Sequence, residues 1–437
     1  MIKQGIILAS GLGSRLNSEG RNEPKPLMPI GGMALIERVI TLMKLAGIEH
    51  IVIVLGYRGD QIKKFIADKG MTGIVTVENE EYNKKNGISL LKGGEALKKG
   101  EPFLLSMSDH IFSNDFMADF IKKAEPELDN ADTILSIDRD IENVFDLDDA
   151  TKVFTEENII TKIDKQLGAY NAVDTGLFLC KPSIIKELKK LYKENGDVSI
   201  SEGMKALGEK KKFHACDMTG YLWQDVDTPA MKNEAEERLI DNCIESVPEK
   251  DFFSNKFFLK LSKEILRPLL KRENFDFRMF NMFFFIVILF ISMLSVKSGS
   301  EGLSILSLLG ATFIHYFESI RLSIKPGKDK NPFFLFSYEF MATIAFLPVI
   351  LNNSTVLAII FSALLLFVIF AKLTGQIKFL QTQFPPLSSH NFGTWLSPSL
   401  FAFIYAGIII LPLFSLITSI VVILYMAVFV TNISEFK

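Results

Sequence analysis

The sequence is poor in the groups that most often advertise chemistry. Among 437 residues there are three cysteines, five histidines and two tryptophans. Cys180, Cys216 and Cys243 are scattered, odd in number and without metal-ligand spacing, so they imply neither a disulfide framework nor a zinc site and suit a reducing compartment. The start, MIKQGIILAS, has an apolar run too short for a signal-peptide core and no small-residue cleavage site, so the N-terminus is expected to stay in the cytosol. Net charge is only −3, and no nucleic-acid partner is expected. The last absence is local: after Asp276 the chain contains a single aspartate, Asp329.

What is present is unevenly spread. The chain is 48% hydrophobic, but up to about Glu249 charge and short apolar runs alternate, whereas from Phe277 onward Phe, Ile, Leu and Val dominate. This contrast divides the chain into a water-soluble region, 1–246, a linker, 247–277, and an apolar region, 278–437. In the first, residues 4–9 (QGIILA) and 50–55 (HIVIVL) read as buried strands, and 34–47 between them carries apolar residues at helical spacing. A helix near 59–69, a strand near 73–77, a helix near 88–98 and a strand at 103–108 continue the alternation. Strands buried on both faces read as continuous apolar runs, so the expected fold is α/β, Rossmann-like, with a mostly parallel sheet and helices on both sides. Ligands of such sheets bind at the carboxyl ends of the strands.

The first of those ends carries ASGLGSRL, with Gly11 and Gly13 directly after the strand and Arg15 two residues on. Glycines let backbone N–H groups approach phosphate oxygens, and a cationic side chain completes the cradle. The loop lacks the G-K-[ST] of a Walker motif and the third glycine of a dinucleotide fingerprint. Soon after comes EPKPLMPIGG, 23–32, in which prolines stiffen the loop presenting Lys25. Together these stretches resemble the opening signature of the sugar-phosphate nucleotidyltransferase superfamily, a G-x-G-x-R-[LM] loop followed by P-K-P-L.

Nucleotidyl transfer needs a divalent cation on the phosphates, and hard cations take carboxylate oxygens. Asp109, after the strand FLLSMS, is one candidate; Asp225 and Asp227 in LWQDVDTPA supply a second. Asp225 is the first choice, although alternation along an extended segment puts both on one face and leaves Asp227 open. His110 is expected to pack or to hydrogen-bond rather than to catalyse. In NEEYNKKNGISLL, Asn86, Gly87 and Ser89 open a helix, and as a motif they are as ordinary for capping as for holding a nucleotide.

Within the superfamily the chain looks most like the inositol-1-phosphate cytidylyltransferases, through NGISLL, MSDHIF, DLDDATKVF, AVDTGLFLC and WQDVDTPAMKNEAEERL. That resemblance implies CTP as co-substrate and Mg²⁺ as cofactor. It gives Gly11, Gly13, Arg15, Lys25, Asn86, Gly87 and Ser89 to the nucleotide, with Lys25, Arg15 and Asp109 as the catalytic groups. It gives Asp109 and Asp225 to the metal, and Asp174, Thr175 and Gly176 to the alcohol phosphate.

The apolar region contains six stretches long enough to span a bilayer, near 279–296, 302–320, 333–351, 354–371, 396–414 and 415–432. Arg321, Lys325, Lys328, Lys330, Lys372 and Lys378 lie in the turns expected inside, which predicts an integral protein of the cytoplasmic membrane with both termini cytosolic. Residues 250–272 mix aromatic and basic residues at helical spacing and read as an interfacial helix. This order resembles fusions to a CDP-alcohol phosphatidyltransferase. That family's signature, D-G-x-x-A-R-x8-G-x3-D-x3-D, would place its aspartates on Tyr316, Phe334 and Tyr338, none of which binds a metal. The expectation is an all-α six-helix membrane domain without transferase activity, serving as anchor, homodimer surface or partner of a separate active transferase. Two alternatives stay open: a UDP- or GDP-sugar pyrophosphorylase, and a non-catalytic membrane scaffold.

Overall fold

A computed structural model of the chain describes residues 2–12 and 23–246, the helix Phe277–Ser298, and shorter stretches between 264 and 326. Contacts divide it into two compact units, one of Met1–Glu245 with Ser323–Gly327, the other of the remaining residues.

The first unit is built on a nine-stranded sheet. Its parallel half comprises β1 (Gln4–Ala9), β4 (His50–Leu55), β5 (Ile74–Glu78) and β6 (Phe103–Met107), in the order β5-β4-β1-β6. The alternation within these strands explains the two-sided burial. Ile7, Ile51, Ile53 and Leu55 face a core with α1 (Leu35–Leu45), α2 (Gly59–Asp68) and α4 (Phe116–Ala124). Ile6, Val52, Val54 and Leu105 face a second core with α3 (Asn86–Gly94), α5 (Ser183–Asn195) and α6 (Ile200–Glu209). A period of two along a strand serves two cores at once.

Beyond β6 the sheet departs from the mostly parallel expectation. The long strand β11 (Ala172–Cys180) runs antiparallel to β6 and to β8 (Thr133–Asp138), which pairs in parallel with β12 (Phe213–Asp217). The hairpin β9 (Lys152–Glu156) and β10 (Ile159–Asp164) is antiparallel, with β9 also pairing β11. The sheet is therefore mixed. A hairpin needs only a short turn, whereas each parallel pair needs a crossover, and the short β9–β10 connection leaves no room for one.

Two short ribbons complete the unit: β2 (Pro29–Ile30) with β3 (Met33–Ala34), and β7 (His110–Phe112) with β13 (Trp223–Asp225), followed by α7 (Pro229–Glu245). The α6 N-terminus shows how locally the sequence acts. Ser199 accepts from the Glu202 backbone N–H while the Glu202 carboxylate accepts from that of Ser199, a reciprocal capping box.

In the second unit, α8 (Phe277–Ser298) has 22 residues, about 33 Å at 1.5 Å per residue. Phe280 lies against Phe284 and Phe317, while Met279, Phe283, Ile286, Phe290 and Met293 are exposed at four- and three-residue intervals. Among the described residues no helix is long and apolar enough to cross a membrane. Of the expected spans, 279–296 coincides with α8 and 302–320 is described in part; 333–351, 354–371, 396–414 and 415–432 lie outside the described residues. So do 247–263 of the expected linker, together with Gly13, Arg15, Tyr316, Phe334 and Tyr338.

Candidate active site

Adjacent strands β1 and β6 both end at the same edge of the sheet, and their loops carry the first groups of the site. Ser108 N–H donates to Leu8 O across 3.1 Å, so the turn bearing Asp109 starts beside the glycine loop. Gly11 is exposed, and among the described residues nothing lies within 4 Å of where its Cβ would stand. A glycine there leaves room for the backbone to be approached closely.

Lys25 opens a short 3-10 turn, Lys25–Leu27, between Pro24 and Pro26. Its Nζ donates to Asp109 Oδ2 at 2.6 Å and to Asp227 Oδ1 in a very short contact. The Lys25 side chain is 9% exposed, that of Asp109 29% and that of Asp227 18%. Burial works to lower the Lys25 pKa, but Asp109 and Asp227 outweigh it and hold the ammonium charged. Conversely, burial works to raise the Asp109 pKa, and Lys25 and His110 drive it well below the usual carboxylate range.

The second carboxylate region reaches Asp109 through the β7–β13 ribbon. Asp225 stands opposite His110 in register, and Val226 N–H donates to Asp109 O at 3.0 Å. Of the two aspartates left open by the sequence, Asp227 meets the lysine that also meets Asp109. Asp225 lies in the same electrostatic field: burial and the charges of Asp227 and Asp109 raise its pKa, against His110.

His110 Nδ1 lies 2.8 Å from Asp109 Oδ1. A carboxylate only accepts, so Nδ1 carries the hydrogen. Burial works against the charged imidazole, but Asp109, with Asp225 and Asp174 nearby, raises its pKa. On the other side of the ring lies Gly176, at φ +82°, where a Cβ would sit 2.4 Å from His110 Nε2. Register along β11 slips between Asp174 and Phe178, a bulge that brings 174–176 to the carboxyl end of β6. Asp174 accepts from Gly176 N–H at 2.7 Å, and burial pushes its carboxyl up to about 6. Thr175 turns into the sheet instead, its hydroxyl donating to Ser136 O at 3.0 Å.

The residues of NGISLL are held from within. Ser89 Oγ lies 2.7 Å from Ser10 Oγ and accepts from Asn79 Nδ2 at 3.0 Å, tying the α3 N-terminus to the loop after β1. Asn86 Oδ1 accepts from Ile200 N–H at 3.0 Å, and a Cβ on Gly87 would meet Val198 O at 2.4 Å. Sequence reasoning passed over Ser10 and Asn79. The turn in which Asn79 Oδ1 accepts from Glu81 N–H was the available signal for Asn79.

Two carboxylates converging on one ammonium are a suitable donor set for a divalent cation, with Lys25 Nζ as the stand-in cation. Among the described residues no three His, Cys, Asp or Glu side chains group to hold a metal. Mg²⁺ commonly takes one or two carboxylates and completes its shell with substrate phosphates and water.

Residues 5–142 match the MobA-like NTP transferase domain family. The first unit carries a nucleotidyltransferase domain. A protein named bifunctional IPC transferase and DIPP synthase from Aquifex aeolicus is 30% identical over 266 residues, covering 61% of this chain and 58% of its own. Its namesake from Thermococcus kodakarensis is 31% identical over 272 residues, covering 62% and 58%. The chain thus spans just over half the length of these relatives. Among solved structures, the inositol-1-phosphate CTP transferase from T. maritima is 26% identical, covering 54% of this chain and 97% of its own at a TM-score of 0.47.

Proposed function

We propose that the nucleotidyltransferase domain transfers CMP from CTP to a small phosphorylated polar alcohol of the inositol 1-phosphate kind, giving a CDP-alcohol and pyrophosphate. The observation that carries this reading is the convergence of Lys25, Asp109 and Asp227 at the carboxyl edge of β1 and β6. The choice of CTP rests on the resemblance of the quoted motifs and on the relatives named IPC transferase. A phosphate oxygen of the acceptor attacks the α-phosphorus of CTP, the bond from that phosphorus to the β-phosphate bridging oxygen breaks, and pyrophosphate leaves. The acceptor phosphate is already an anionic nucleophile, so no serine or cysteine is needed.

Asp109 with Asp227, or with Asp225, would hold Mg²⁺, whose contribution is to neutralise phosphate charge as a Lewis acid. Lys25, released from its two carboxylates, offers its ammonium to the leaving phosphates. By the motif resemblance Gly11, Gly13 and Arg15 would take the phosphates and Asn86, Gly87 and Ser89 the nucleotide side, with Asp174 and Gly176 toward the acceptor. Catalysis on this scheme is positioning and electrostatics.

The proposal extends to location. An apolar stripe of Met279, Phe283, Ile286, Phe290 and Met293 on α8, each more than half exposed, favours a bilayer over water as its surroundings. The second unit is then an anchor at the cytoplasmic membrane. With Tyr316, Phe334 and Tyr338 at the signature positions, it does not keep the aspartates of the CDP-alcohol phosphatidyltransferase motif. A homodimer or a separate active transferase would be its protein partner. Full-length protein incubated with CTP, UTP or GTP and either inositol 1-phosphate or a hexose 1-phosphate tests the reading. Pyrophosphate is expected from CTP with the inositol ester; release only from UTP or GTP with the hexose ester overturns it.

A further inference from the structure

The two oxygens of Asp109 have different neighbours. Oδ2 faces Lys25 Nζ at 2.6 Å, the place where a cation sits, while Oδ1 accepts from His110 Nδ1–H at 2.8 Å. The imidazole is fixed from several directions. Its backbone belongs to β7, in register with Asp225 of β13, and its ring lies 6.0 Å from that of Phe112 at an interplanar angle of 20°. Its far edge is pressed by Gly176, whose φ of +82° and missing Cβ let the β11 bulge come within contact of Nε2. A side chain at position 176 would have to displace the ring.

We propose that His110 is a positioning residue for the metal carboxylate: it locks Asp109 Oδ1 so that Oδ2 is presented to the cation, with Gly176 holding the ring in place. A carboxylate on a short turn otherwise rotates about its terminal torsion, which is broad, and loses orientation between the two oxygens. One hydrogen bond to the oxygen that does not ligate removes that freedom before the cation arrives. Partners of this kind, one bond behind the ligand, change metal affinity or activity by about 10- to 100-fold when removed. The same chain of contacts runs on to Asp174, which accepts from Gly176 N–H at 2.7 Å, so the cation side and the proposed acceptor side meet at the β11 bulge. The proposal rests on the metal-dependent reading of the site.

The test uses full-length protein with Mn²⁺ as probe, its binding followed by the loss of the free-ion electron paramagnetic resonance signal, beside pyrophosphate release. H110A is expected to weaken Mn²⁺ by about 10-fold or more, with a matching rise in the metal concentration for half-maximal turnover. H110N, whose amide N–H starts from the same δ position, is expected to recover most of that loss. G176A, which crowds the ring, should behave like H110A. A purely structural histidine would lower the unfolding temperature of H110A and H110N together while the folded fraction bound Mn²⁺ as wild type does. That result overturns the proposal, as does H110A with unchanged Mn²⁺ affinity. Should H110A fail to fold, the comparison of H110N with G176A decides: the proposal requires G176A to lose more Mn²⁺ affinity than H110N. If wild type binds Mn²⁺ but transfers no nucleotide, the reaction assigned to the site fails while the Mn²⁺ comparison still judges His110.

Discussion

Replacing Lys25 by methionine removes the ammonium from between Asp109 and Asp227 and keeps most of the stem. The two carboxylate oxygens that shared one nitrogen then face each other at about 4 Å, where two unit charges repel by about 4 kcal/mol at an effective dielectric of about 20. Removing one partner of a buried ion pair costs about 3–5 kcal/mol, and the 29% exposure of Asp109 puts this site at the low end or below. In metal-free buffer K25M is therefore expected to lose about 2–3 kcal/mol of stability. A divalent cation at 100 times its dissociation constant returns about 2.7 kcal/mol, so Mg²⁺ should restore most of what K25M loses. Wild type, whose carboxylates already hold an ammonium, should gain less. Urea unfolding followed through Trp223 emission, in a background where Trp395 is replaced by Phe, reads this out; Trp223 sits in β13 with its Nε1–H on Asp138. Equal stability of K25M and wild type in EDTA, or an equal Mg²⁺ increment in both, would refute the account of Lys25 as a stand-in cation.

Three further outcomes are expected. D109N should lower pyrophosphate release by at least about 100-fold with an unchanged circular dichroism spectrum; unchanged turnover would remove Asp109 from the chemistry. G87A sets a gain in helix propensity of about 1 kcal/mol against overpacking of about 1–3 kcal/mol, because the added methyl meets the Val198 carbonyl. The carbonyl is backbone and yields little, so the melting temperature should fall, and a rise would show that the loop at 196–199 gives way. Asp174 titrates at about 6 in the folded chain, above its unfolded value near 3.9. The folded state therefore binds its proton more tightly, and the stabilisation, complete below about pH 4, is lost as pH rises through 6. D174N lacks this loss, so its melting temperature relative to wild type should climb from pH 4 to pH 7; a flat difference contradicts the burial of that carboxyl.

The parallel half of the sheet was legible in the sequence because its inner strands are two-sided apolar runs and its crossovers one-sided helices. Those patterns placed β1, α1, β4, α2, β5 and β6 within a residue or two of their observed ends. The second half was not, because β9 and β10 alternate polar and apolar residues and β11 pairs with three strands far away in sequence. Lys25 and Asp109 were legible for a local reason: proline stiffening and a strand end are visible in a short window. The contact of Lys25 with Asp227 was not, since Asp225 and Asp227 lie on one face of an extended segment and the ribbon with β7 brings Asp227 to the lysine. Likewise nothing local to His110 announces Gly176; their contact depends on a bulge in a strand more than sixty residues away.

The β7–β13 ribbon carries a consequence for how such a site can change over time. Three cross-strand pairs, Phe112 with Trp223, Ile111 with Gln224 and His110 with Asp225, set the separation of Asp109 from the second aspartate region. That spacing is therefore an attribute of strand register, indifferent to the length or composition of the loops that would meet base and acceptor. On the proposed function, a change of acceptor would therefore fall on those loops and leave the ribbon, and the spacing it sets, as they are.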